Sequence, residues 1–111
     1  MDRIDEFRKQ VQKLLTEYAD IHKNSIDIET QVIFDEQRDH YQLVTVGWQG
    51  NDRVYGPLMH IDIKGGKIWV QHNRTEMLVA EELVERGVPK EAIVLGFQPA
   101  FMRQFTEFSV N

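Results

Sequence analysis

Two adjacent glycines between apolar segments constrain this chain more than any other feature. Gly65 and Gly66 join the segments His60–Lys64 and Lys67–Gln71, which both contain apolar residues. Consecutive glycines suit a type I′ turn, because both central residues of that turn need positive φ. The pattern therefore predicts a β-hairpin with a two-residue turn.

The register of this hairpin sorts its side chains onto two faces, since alternate residues of a strand point in opposite directions. The predicted cross-strand pairs are Lys64–Lys67, Ile63–Ile68, Asp62–Trp69, Ile61–Val70 and His60–Gln71. One face is apolar, and we expect it to meet the helices: Met59, Ile61, Ile63, Ile68 and Val70. The other, which we call the polar face, carries His60, Asp62, Trp69 and Gln71.

Upstream of the hairpin, the sequence predicts one helix and the start of an antiparallel meander. Apolar residues recur at spacings of three and four over residues 2–21, which is typical of an amphipathic helix. A break is predicted at Asn24-Ser25. The predicted strands cover 31–34, 40–48, 53–64 and 67–72; the third is interrupted near Gly56-Pro57 and becomes regular at Leu58.

Downstream of the hairpin, the sequence predicts helices. Asn73 or Thr75 can cap a helix that ends before Gly87, and a short turn follows at 90–93. A last helix is predicted from Pro99 to about residue 106, packed down by Phe101, Phe105 and Phe108. The expected fold is α+β in one domain, residues 1–111: an N-terminal helix, a four-stranded antiparallel β-meander and two or three C-terminal helices.

Composition excludes several classes of function. The chain carries 13 basic and 18 acidic side chains, a net charge of −5, whereas DNA-binding modules are normally basic. Direct nucleic-acid binding is therefore not expected. The absence of cysteine excludes disulfides, a thiol nucleophile and thiolate zinc sites. No segment reads as a signal peptide or a membrane span, so we expect a cytoplasmic protein.

His60 and Asp62 are the residues that best fit a chemical role. They lie two apart on one strand and so share a face, and a His beside a carboxylate is the minimum for general-base work or metal ligation. A third ligand or a nucleophile is missing, because His72 falls on the opposite face and His40 starts another strand. We therefore predict no enzyme activity, catalytic residue, cofactor or metal. The alternative is a small hydrolase or metal-binding enzyme that uses His60 and Asp62.

Segments spread over the whole chain resemble the XisI family. They include Val46-Gly47-Trp48, His60-Ile61-Asp62-Ile63, Gly66–Gln71, Gly87–Glu91 and Ile93–Phe97. Members of this family are known as fdxN-element excision controlling factors, largely from cyanobacteria, and a separate site-specific recombinase exchanges the DNA strands. They usually accompany XisH, a small protein whose fold is similar to restriction-endonuclease-like domains.

The resemblance implies a non-enzymatic accessory factor for DNA excision that contacts a XisH-like protein, and a recombinase only indirectly. An acidic chain suits contact with a basic partner surface, because complementary charge speeds and selects pairing. Direct DNA binding and a homodimer paired through the polar face are the other interpretations. Trp is enriched at interface hot spots, so the candidate partner interface is Trp48, His60, Asp62, Trp69 and Gln71.

Overall fold

The computed structural model describes residues 2–22 and 26–111 as an α+β fold. The predicted break at Asn24-Ser25 lies outside the described residues. The elements in chain order are α1 (Arg3–Ile21), β1 (Ile28–Asp35), β2 (His40–Gln49), β3 (Asp52–Lys64), β4 (Lys67–Asn73), α2 (Val79–Glu85), β5 (Ile93–Leu95) and α3 (Ala100–Arg103). The sheet order is β1-β2-β3-β4-β5.

Helix α1 confirms the predicted N-terminal helix almost residue for residue. The Asp2 carboxylate accepts a hydrogen bond from the backbone N–H of Ile4 and so caps the first turn. The apolar positions at spacings of three and four are buried against the sheet: Phe7, Val11, Leu14 and Leu15. Together with α2, this helix covers one face of the sheet.

The antiparallel meander of β1 to β4 is also confirmed, with longer strands than the sequence predicts. β1 begins at Ile28, and β3 is continuous from Asp52. The predicted interruption near Gly56-Pro57 is a β-bulge, because Leu43 pairs with Met59 whereas Val44 pairs with Pro57. A bulge accommodates a proline within a strand.

The Gly65-Gly66 turn forms as predicted, with φ of 59° and 77° at the two glycines. The pairs from Lys64–Lys67 to Ile61–Val70 have the predicted register, and the apolar face is buried. The predicted His60–Gln71 pair is wrong: His60 pairs with His72, because a second bulge makes Gln71 an extra residue of β4. The expectation that His72 lies on the opposite face is therefore wrong as well, since directly paired residues share a face.

Strand β5 was not predicted. Ile93–Leu95 runs parallel to β4 and pairs with Ile68–Val70, so the sheet is five-stranded and mixed. Periodicity cannot assign an apolar run of three residues. A 3₁₀ turn at Lys90–Ala92 precedes the strand, as the sequence indicates for 90–93.

The C-terminal helices are shorter than predicted. The predicted cap of the second helix is wrong: Asn73 Oδ1 accepts from the Thr75 N–H, which shapes a turn, and α2 begins only at Val79. Phe101 and Phe105 are 66% and 75% exposed, so their predicted packing is also wrong, and only Phe108 packs against the core. The chain instead turns after α3 and bridges Ser109 to Val94.

Among the described residues, no helix combines the length and apolar character needed to cross a membrane.

Candidate functional site: a histidine and aspartate cluster on the polar face

Three strands bring polar side chains together around Asp62 on β3. Asp62 pairs with His40, the first residue of β2, and with Trp69 of β4. His60 lies two residues before Asp62 and therefore points to the same face. Ile61 and Ile63, which alternate with these residues, are buried in the core. The polar face therefore lies opposite the face that the helices cover.

The Asp62 carboxylate is the centre of a hydrogen-bonded cluster. Its Oδ1 lies 2.7 Å from both His40 Nδ1 and His60 Nε2, and its Oδ2 accepts from Gln71 Nε2 at 3.1 Å. An ionised carboxylate only accepts hydrogen bonds, so both ring nitrogens that face it carry protons. We call His40, His60, Asp62 and Gln71 the Asp62 cluster.

The cluster keeps Asp62 ionised. Partial burial raises the pKa of the Asp62 carboxyl, but hydrogen bonds from His40, His60 and Gln71 outweigh that effect, and the pKa ends below its usual value. The Asp62 side chain is 14% exposed, whereas that of His40 is 49% exposed. The Asp62 carboxylate is thus largely shielded from solvent, whereas the His40 ring is accessible to it.

The residue before His40 is fixed to the rest of the fold. The Asp39 carboxylate accepts hydrogen bonds from Arg8 Nε at 2.7 Å and Nη2 at 3.0 Å, and from the Tyr41 hydroxyl at 2.7 Å. Its backbone carbonyl accepts from the Ile63 N–H at 3.0 Å. The hydrogen bond from Arg8 is the main cause of the lowered pKa of Asp39. The backbone that leads into His40 is therefore held in place by hydrogen bonds to α1 and β3.

Trp69 lies beside the cluster, and two cationic side chains lie over its indole ring. Lys64 Nζ is 4.2 Å and Arg103 Cζ 5.2 Å from the indole ring centroid. The backbone after β5 also approaches this point closely, since a Cβ on Gly96 would lie 2.4 Å from Gln71 Oε1 and 3.3 Å from Trp69 Cε3. The C-terminal segment therefore borders the polar face and leaves Trp69 half-buried.

Four of the five predicted interface residues come together here, and Trp48 does not join them. Trp48 pairs with Arg53 at the far end of β2, roughly 26 Å along the strand from His40 at about 3.3 Å per residue. Its side chain is half-exposed, and Arg53 Cζ lies 5.1 Å from its ring centroid. His40 was not among the predicted interface residues, because only the register between β2 and β3 places it beside Asp62.

Known proteins match this chain over nearly its whole length. The family model described as XisI protein matches residues 1–110. The crystal structure of a XisI-like protein from Anabaena variabilis is 47% identical, with a TM-score of 0.93, and the match covers 99% of this chain and 100% of that one. The crystal structure of the fdxN element excision controlling factor XisI from the same organism is 32% identical, with a TM-score of 0.88 and the same coverage. A comparison with curated proteins finds no match.

Proposed function

The chain belongs to the XisI family, and on that basis we propose that it is a controlling factor in the excision of a DNA element. The observation that carries the proposal is the end-to-end match to the Anabaena variabilis protein described as an fdxN element excision controlling factor. A match that spans the whole fold at 32% identity includes the three strands on which the Asp62 cluster lies.

We expect the protein to act through protein contacts and not by catalysis. Its net charge of −5 opposes binding to the phosphate backbone, which supplies most non-specific DNA affinity. The same charge favours association with a basic protein surface, since complementary potentials raise the rate of encounter. The proposed partner is the XisH-like protein, and a recombinase is reached only indirectly.

The part of the polar face around Trp69 is the proposed contact surface. It combines an indole ring with an ionised carboxylate and partly exposed imidazoles, which is the mixture of an aromatic anchor and polar groups found at interfaces. Trp48 lies too far along β2 to belong to the same small patch. The two tryptophans therefore provide a matched pair of variants.

The test is co-purification with the XisH-like protein encoded in the same genome. We expect a stable complex, lost in Trp69→Ala and retained in Trp48→Ala, with far-UV circular dichroism to establish that both variants fold. If Trp69→Ala fails to fold, because the ring also contacts Lys64 and Arg103, Gln71→Ala replaces it. Absence of any complex would refute the proposed partner, and equal binding by both tryptophan variants would refute the proposed surface.

Duplex DNA added to the chain alone tests the competing interpretation. We expect little binding at physiological salt. Tight binding that weakens steeply as salt is raised would instead indicate direct phosphate contacts, and the basic residues would then replace the Asp62 cluster as the target for mutagenesis.

A further inference from the structure

We propose that His40, His60 and Asp62 bind a divalent transition-metal ion of the zinc class. The sequence alone offers only His60 and Asp62, and the expectation of no metal depended on the missing third ligand. Pairing of β2 with β3 supplies that ligand, because it sets His40 directly opposite Asp62. One potential ligand atom from each of the three side chains lies within 4.8 Å of the other two.

The donor atoms select the class of metal. Two imidazole nitrogens and one carboxylate oxygen match the ligands of zinc and its neighbours, and three protein ligands are typical of a zinc site that keeps one position open. Mg²⁺ and Ca²⁺ prefer oxygen ligands alone and would gain little from the histidines. The fourth position would be left to water or to a donor atom from a partner protein.

Little movement is needed to admit the ion. His40 Nδ1 and His60 Nε2 both lie 2.7 Å from Asp62 Oδ1. Around a tetrahedral zinc with ligand bonds of about 2.0–2.1 Å, ligand atoms lie roughly 3.3 Å apart. The ion would therefore replace the two hydrogen bonds when the side chains separate by roughly 0.6 Å at those bond lengths. Each neutral imidazole keeps one proton, which moves through solvent exchange to the ring nitrogen that faces away from the ion.

Neighbouring groups hold the three ligands in orientation. Gln71 donates to Asp62 Oδ2 and so directs Oδ1 toward the histidines. Asp39, fixed by Arg8 and Tyr41, sets the backbone ahead of His40. Such supporting hydrogen bonds fix ligand geometry in metal sites. Gln71 is thus a positioning residue and not a ligand.

The test is titration of the purified full chain with Zn²⁺ in competition with a chromogenic chelator. We expect one ion per chain, and loss of that binding in Asp62→Asn, His60→Ala and His40→Ala. His22→Ala is the matched control, since His22 is exposed at the end of α1 and should leave binding unchanged. Failure to bind Zn²⁺, or binding that survives both Asp62→Asn and His60→Ala, would overturn the proposal and leave the cluster as a hydrogen-bond network alone.

Three further measurements support the interpretation of the titration. Far-UV circular dichroism establishes which variants fold, and His40→Ala, at the exposed edge of the cluster, is the variant least able to disturb the sheet. Gln71→Ala should bind Zn²⁺ about 10–100-fold more weakly, as loss of a supporting hydrogen bond does elsewhere. Co²⁺ in place of Zn²⁺ should give the strong visible absorption of a tetrahedral site, and the weak absorption of an octahedral ion would contradict the geometry. None of these assays includes a partner, so their outcome is separate from that of the co-purification.

Discussion

Gly47 is the position in the sheet where the methyl group added by an alanine substitution should be most disruptive. A Cβ on this buried β2 residue would lie 2.2 Å from the carbonyl oxygen of Asp27 and 2.6 Å from the Cα of Ile28. Both atoms belong to backbone, which cannot rotate away as a side chain can. The same carbonyl accepts a hydrogen bond from the Trp48 N–H at 3.0 Å. Gly47→Ala should therefore push the start of β1 off the sheet.

The magnitude follows from two opposing effects. Overpacking lowers the unfolding free energy by about 1–3 kcal/mol. Replacing glycine by alanine raises it by about 0.4–1 kcal/mol, because alanine reduces the conformational entropy of the unfolded chain. Gly56→Ala is the matched control: Gly56 is also buried, on the neighbouring β3, and its Cβ would meet only Arg74 Nη1, at 3.5 Å. We expect Gly47→Ala to be less stable than Gly56→Ala by about 1–3 kcal/mol.

Urea unfolding followed by far-UV circular dichroism measures this difference through the midpoint, provided that the slope is unchanged. Hydrogen exchange locates it, because amide protection lost in Gly47→Ala should be confined to β1 and the adjoining end of β2. Equal midpoints for the two alanine variants would refute the close approach of β1 at this position.

Three other perturbations have defined outcomes. Tyr41→Phe removes the hydroxyl that donates to the Asp39 carboxylate, and should lower the unfolding free energy by about 1–2 kcal/mol in urea titrations. Asp39 has a lowered pKa in the folded protein, so its stabilising effect is present above the unfolded pKa of about 3.9 and is lost as the pH falls through the folded pKa. Between pH 7 and 3, the wild type should therefore lose more unfolding free energy than Asp39→Asn. Equal losses in the two proteins would contradict this prediction. Gly96→Ala places a Cβ 2.4 Å from Gln71 Oε1, so it should displace that amide and raise the pKa of Asp62 in a carboxyl NMR titration, whereas an unchanged pKa would indicate that the amide is not needed.

Local patterns were enough to predict most of the fold. The spacing of apolar residues in α1 and the two glycines of the β3–β4 turn are signals carried by neighbouring residues, and both predictions are confirmed. β5 escaped prediction because its three apolar residues become a strand only by pairing with β4, which lies some 20 residues earlier. For Phe101 and Phe105 the sequence predicted packing that the structure does not have. Both side chains are exposed, because apolar character alone does not determine burial.

The candidate site depends on strand-pairing registers that could not all be predicted from the sequence. His60 and Asp62 share a face by simple alternation, and that could be predicted. His40 joins them only through the pairing of β2 with β3, whose register shifts at a bulge. Gln71 is the extra residue of the second bulge, and its amide still reaches Asp62. The sequence marks the first bulge only through Gly56-Pro57 and does not mark the second, so His40, the second imidazole partner of the carboxylate, could be placed only from the structure.

The order of strands in the sheet has a consequence for how the chain acquires its shape. β1 to β4 are neighbours in both chain and sheet, so each can pair with the strand that left the ribosome just before it. The parallel contact of β5 with β4 closes a much longer loop, and such non-local contacts form slowly. Every side chain of the Asp62 cluster belongs to β2, β3 or β4. A folding chain can therefore assemble the cluster before β5 and the residues that border it on the C-terminal side have docked against β4.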